Sequence, residues 1–113
     1  MFKSRARSTP ISIFIAGDYQ KAKQIAQAYC DDVGLCVTVT ATEYVYTNGS
    51  EPGVIVGLIN YPRFPKYSHE LLETAEALAM KLLKGLDQQS FSIQGPTETY
   101  WFSERPEDNQ TEN

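Results

Sequence analysis

The sequence predicts an α+β domain of the ferredoxin-like, split β-α-β kind (βαββαβ) with an extra C-terminal strand. Its sheet would be antiparallel, with two helices on one face. Three observations lead there. Hydrophobic periodicity gives the order strand, helix, strand, strand, helix, strand, strand. The first and third strands are apolar on both faces, as interior strands are, whereas the second alternates, as an edge strand with one wet face does. A turn signal at Asn48-Gly49 joins the second and third strands into a hairpin, which separates the two crossover units.

The first strand, 10–16, places Ile11, Ile13 and Ile15 on one face and Phe14 on the other. Gly17 ends it, and Asp18 caps a helix running to about Val33. Ala22, Ile25, Ala26, Tyr29 and Val33 make that helix's buried stripe, and Gly34 stands where a left-handed terminating residue belongs. The second strand, 35–47, has Leu35, Val37, Val39, Ala41 and Val45 on its core face. Thr38, Thr40, Thr42, Tyr44 and Tyr46 lie on the other. The third strand is read as 53–61, with a gap at Gly57 that signals a close approach by a neighbour. Pro62 and Pro65 then force a loop. The second helix spans 69–86, capped by Ser68 with a Tyr67–Leu72 staple and presenting a wide leucine and alanine face. Residues 90–94 and 97–103 read as a final hairpin. Residues 1–8 form a flexible basic arm, 9–103 the single domain, and 104–113 a disordered acidic tail.

Composition narrows the function classes. A net charge of −4 and a pI near 4.9 argue against general nucleic-acid binding, because neutralising phosphates needs surplus Lys and Arg. No apolar run approaches the ~20 residues of a membrane span, and ISIFIA is shorter than a signal-peptide core of about 7–15 residues. The chain is therefore expected in the cytoplasm, away from the membrane. Cys30 and Cys36 lack the partners of a zinc site and read as reduced thiols. No metal and no cofactor are implied.

Catalytic signals are sparse. His69, the lone histidine, has no Ser, Cys or Asp placed beside it by any recognisable motif, so no catalytic residue is assigned. Glu70, Glu73 and Glu76 form a row that suits a solvated helix face better than a cation site. The Gly17–Asp18 junction could hold an anion at a helix N-terminus, although Asp18 would compete for it. The stronger signal is the sheet face away from the helices, carrying Phe14, Thr38, Thr40, Tyr44, Tyr46, Ile55, Ile59 and Tyr61. It is too apolar to face water alone. The final hairpin, with Tyr100, Trp101 and Phe102, could curl over part of it; a homodimer or another protein could cover it instead.

The segments STPISIFIAGDY, CVTVTATEYVYTNG and GVIVGLINYPRFP resemble small proteins of tailed phages and prophages over 8–103. That resemblance implies an accessory protein that blocks or modifies a host or defence protein, as anti-CRISPR inhibitors do, in the host cytoplasm. The sequence reading is accordingly a non-enzymatic binding protein acting by occlusion. Its partner-binding residues would be Thr38, Thr40, Tyr44, Tyr46, Tyr61, Arg63, Phe64 and Trp101, since aromatics and Arg anchor interfaces. The alternatives are an oligomeric small-molecule-binding or sensing domain, and a small enzyme of dimeric ferredoxin-like barrel type using His69 or a tyrosine.

Overall fold

A computed structural model describes residues 1–108. Its elements are β1 (Ile11–Ala16), α1 (Tyr19–Val33), β2 (Thr38–Tyr46), β3 (Gly49–Leu58), α2 (Ser68–Gly85), β4 (Ser90–Gln94) and β5 (Thr99–Ser103). The strands form one sheet in the order β2-β3-β1-β4-β5, every neighbouring pair antiparallel. This is the split β-α-β arrangement with the expected extra strand. β1 and β3 are interior, and β2 is an edge.

The helices cover one sheet face. Ile11, Ile13 and Ile15 of β1 meet Val54, Val56 and Leu58 of β3 and Phe91 and Ile93 of β4 beneath them. From above come Ala22 and Tyr29 of α1 and Leu71, Ala75, Leu78, Ala79, Leu82 and Leu83 of α2. Asp18 caps α1 as its sequence position predicts, its carboxylate accepting from Lys21 N–H at 2.9 Å. Gly34 closes the helix at φ 73°, donating to the Cys30 carbonyl at 2.9 Å.

Several boundaries differ from the sequence reading, each for a local reason. β3 begins four residues earlier than expected, because Gly49–Pro52 pairs back along β2 through the Tyr46↔Gly49 to Glu43↔Pro52 register. Pro52 is tolerated there because β1 reaches only to Gly53, so this part of β3 has β2 on one side and no strand on the other. The turn is the two-residue link Thr47–Asn48, with Asn48 at φ 67°. The hairpin consequently outruns the helix layer. Val45, expected in the core, is 78% exposed, and Ala41 is exposed too. At α2 the capping residue is Tyr67 rather than Ser68, with Glu70 Oε1 reaching back to Tyr67 N–H at 3.1 Å. The Tyr67–Leu72 staple does not form; Tyr67 is 72% exposed and stacks on His69.

The C-terminal hairpin does not curl over the open face. β5 lies flat beside β4, in the register Phe91↔Phe102 and Ser92↔Trp101. Phe102 therefore turns toward the helices and stacks on Phe91 with centroids 4.8 Å apart, while Trp101 joins the open face. A 3-10 turn at Pro106–Asp108 follows, held by Arg105–Asp108 at 3.6 Å and by Ser103 Oγ donating to Asp108 Oδ2 at 2.7 Å. Half of the expected disordered tail, 109–113, lies outside the described residues.

Candidate functional site

Strand register assembles the open face row by row. Thr40, Ile55, Phe14, Ser92 and Trp101 form one row across all five strands. Toward one end of the sheet follow Ala16, Gly53 and Thr42, then the pair Tyr44 and Glu51. The small residues Ala16, Ser90 and Ser92 leave a depression between the aromatic rings of Tyr44 and Trp101. It is a half-open cavity of about 200 Å³ with Phe14 in its lining and the Glu51 and Arg105 side chains at its border.

Tyr44 is placed by a glycine. Its ring lies over Gly53, where a Cβ would collide with it. Its hydroxyl donates to the Val54 carbonyl at 2.6 Å. Burial pushes the Tyr44 pKa upward, against a smaller opposing pull from the Ile15 backbone. This phenol is therefore held neutral and fixed, a wall of the cavity rather than a base. Gly57 meets the expectation of a close approach: a Cβ there would stand 2.6 Å from Thr38 Oγ1.

The expected site residues are only partly gathered. Tyr44 and Trp101 share the cavity. Thr38 and Thr40 lie on the same face beyond its lining, and Tyr46 sits at the hairpin tip, 53% exposed. Tyr61, Arg63 and Phe64 follow β3 at its other end, with the Tyr61 and Phe64 rings 5.9 Å apart. Cys36 Sγ and the Tyr61 hydroxyl are in hydrogen-bond contact at 3.3 Å, and this contact, followed by burial, raises the Tyr61 pKa. Both cysteines are free, and burial pushes the Cys30 thiol up. At the Gly17–Asp18 junction the Asp18 carboxylate is engaged with Lys21 N–H. Asp31, near the C-terminus of α1, accepts from Gln27 Nε2 at 2.9 Å. Among the described residues no cluster of three His, Cys, Asp or Glu side chains could hold a metal ion, and no helix is long and apolar enough to cross a membrane.

Sequence reasoning missed Glu51, Ser90, Ser92 and Arg105. Ser90 and Ser92 carried a usable signal, since they alternate with the core residues Phe91 and Ile93 and must face away from the helices. Glu51 was hidden by the late start assigned to β3.

No protein-family model matches the chain, and no curated protein matches it either. Two solved structures do. One is a phage SAM lyase in complex with S-methyl-5'-thioadenosine, 14% identical, with a TM-score of 0.71 over 91% of this chain and 95% of that one. The other is a phage SAM lyase in the apo state, 17% identical, with a TM-score of 0.70 over 91% of this chain and 96% of that one. At such identities the likeness shows the fold. Their phage origin agrees with the phage-type resemblance of the sequence. They overturn the expectation of a non-enzymatic binder acting by occlusion, because the fold shared over nearly the whole of both chains is that of an enzyme. Inhibitor and anti-CRISPR roles lose their support with it.

Proposed function

We propose that this protein is a small enzyme that breaks down S-adenosylmethionine, releasing S-methyl-5'-thioadenosine. The observation that carries the reading is the end-to-end fold match to a phage SAM lyase whose structure holds that thioether. The chemistry follows from the two formulas. S-methyl-5'-thioadenosine is S-adenosylmethionine without its aminocarboxypropyl group, so the bond broken is that from sulfur to the γ-carbon. The bonding electron pair returns to sulfur and neutralises the sulfonium. The fragment's own carboxylate closes on the γ-carbon as the C–S bond breaks, giving a lactone, so no proton acceptor is needed and no water is added.

This reaction destroys charge, so it needs a weakly solvating site more than a strong base. In the half-open sheet-face cavity, which carries polar as well as aromatic side chains, the aromatic walls would supply that environment, and no catalytic dyad is needed. The cavity's volume of about 200 Å³ falls below the roughly 300–1,000 Å³ that encloses a whole small molecule, so it would grip one part of the substrate. Tyr44, Phe14 and Trp101 offer aromatic faces to the adenine or to the sulfonium, the latter by cation–π attraction. Glu51 would draw in the cationic end, and Arg105 the carboxylate. His69 lines a different cavity and takes no part. In a host cell the activity would deplete the donor used by methyl-transfer and restriction enzymes, an anti-defence outcome that requires no protein partner.

The test is to incubate the purified chain with S-adenosylmethionine and quantify products by mass spectrometry. S-methyl-5'-thioadenosine should accumulate in step with substrate loss. Trp101→Ala and Glu51→Gln should each lower kcat/KM about tenfold or more, a loss of about 1.4 kcal/mol of transition-state stabilisation. Substrate that stays intact with the wild-type chain would sink the reading.

A further inference from the structure

A second site lies away from the sheet-face cavity, where the N-terminal arm meets the loop before α2. Half of the ten Lys and Arg residues, namely Lys3, Arg5, Arg7, Arg63 and Lys66, fall in residues 1–17 and 52–69, and these stretches contain no Asp or Glu. The net charge of −4 conceals this segregation. The fold brings the two basic stretches together around a groove of about 610 Å³, with Arg5, Arg7, Lys66, Tyr67 and His69 in its lining.

The groove is held in shape. Asn60, only 9% exposed, donates through Nδ2 to the Arg7 carbonyl at 2.8 Å and accepts through Oδ1 from Lys66 N–H at 2.9 Å. One buried amide thus ties the arm to the loop. Thr9, 1% exposed, adds a hydroxyl contact to Ser68 at 3.1 Å. Among the described residues none of the five cations has an acidic partner; the ion pair that does form is Arg105–Asp108. Glu70, the nearest acid in sequence, has its carboxylate on Tyr67 N–H. Bringing like charges together without counter-charge is unfavourable, and an anion in the groove would relieve it. Aromatic rings stand beside the charges. Tyr67, 72% exposed, stacks on His69 with centroids 5.8 Å apart and planes 10° apart, and Phe64 is 48% exposed. Cations interleaved with exposed rings are the pattern that receives phosphates and stacks bases.

From this arrangement we infer that the groove between the arm and α2 binds a phosphorylated nucleotide, free or within a single strand. Its phosphates lie among Arg5, Arg7 and Lys66, and its base extends the Tyr67–His69 stack. S-adenosylmethionine carries no phosphate and bears a positive sulfonium, so it is poorly suited to this groove. The site is therefore separate from the proposed lyase cavity.

The experiment titrates the full chain at low salt with ATP by calorimetry and with a dye-labelled oligothymidylate by anisotropy, using inorganic phosphate as competitor. ATP or the oligonucleotide should bind, and the double variant Arg5→Ala, Lys66→Ala should weaken binding about tenfold or more, whereas Lys81→Ala, Lys84→Ala on the far part of α2 should not. If the strand is the ligand it binds more tightly than ATP, and its log–log salt slope becomes shallower by about 1.4 in the double variant. Equal affinities identify the free nucleotide. The inference is overturned if neither probe binds, if binding survives the Arg5 and Lys66 substitutions, or if inorganic phosphate competes as well as ATP, since stacking would then contribute nothing. Release of S-methyl-5'-thioadenosine should be unchanged in the double variant, so this inference and the lyase reading fail independently.

Discussion

At the scale of single residues, the site depends on a tyrosine lying over a glycine. Tyr44 can fold across β3 only because Gly53 has no Cβ; one added there would press into the Tyr44 ring and stand 2.7 Å from the Ile15 carbonyl. That carbonyl belongs to a central strand, so it cannot shift to make room. Gly53→Ala should therefore expel the ring and destabilise the fold by about 1–3 kcal/mol, read as a lower urea midpoint with an unchanged m-value. Tyr44→Phe keeps the ring and loses one hydrogen bond to Val54, which should cost about 0.5–1.5 kcal/mol. If Gly53→Ala proved as stable as the parent chain, the proposed seat of Tyr44 would be wrong. The sequence marked Gly57 as a point of close approach because it interrupts an apolar run. It gave no such mark to Gly53, which stood at the apparent start of a strand, and the ring that covers it comes from nine residues earlier on a different strand.

At the scale of elements, the β2–β3 hairpin carries Tyr44 and Glu51 on a two-residue link. Asn48 holds that link at φ 67°, a left-handed conformation that costs a β-branched residue roughly 1–2 kcal/mol. Asn48→Val should lower stability by about that amount, whereas Asn48→Gly should be within a few tenths of wild type. Denaturant melts of the pair give the comparison, and equal melts would mean the turn is not left-handed at 48. The hairpin also separates what the sequence could say from what it could not. Apolarity on both faces of β1 and β3, against alternation in β2, was enough to order the strands. Residues 49–52, Gly-Ser-Glu-Pro, bury nothing and include a proline, so their pairing was invisible to any rule based on periodicity. The site suffered most from this. Phe14, Tyr44, Glu51, Ser92 and Trp101 come from five different strands, and only the register makes them neighbours.

At the scale of the whole molecule, the four groups with raised pKa values that are not fully exposed predict how stability depends on pH. Burial is the leading cause for Tyr29, Tyr44 and Cys30, and the Cys36 hydrogen bond for Tyr61; all four are raised. Each of these groups is neutral when protonated. In the folded chain they hold their protons to higher pH than they do when unfolded, so above the unfolded values the native state carries more protons than the unfolded state. The slope of stability with pH is then negative. Their contribution is fully present below about pH 8.5 for the thiol and about pH 10 for the phenols, and it is lost as pH rises through the higher folded values. The expected result is a fall in urea midpoint that starts near the thiol range and steepens above about pH 10. Tyr44→Phe should flatten the upper part of that fall, and Cys30→Ala the lower part, even though both variants start from lower stability at neutral pH. This crossing of absolute stability and pH slope separates titration from simple loss of packing. A Tyr44→Phe profile that runs parallel to wild type above pH 10 would show that the phenol does not titrate from a buried position, and would remove Tyr44 as a fixed neutral wall of the cavity.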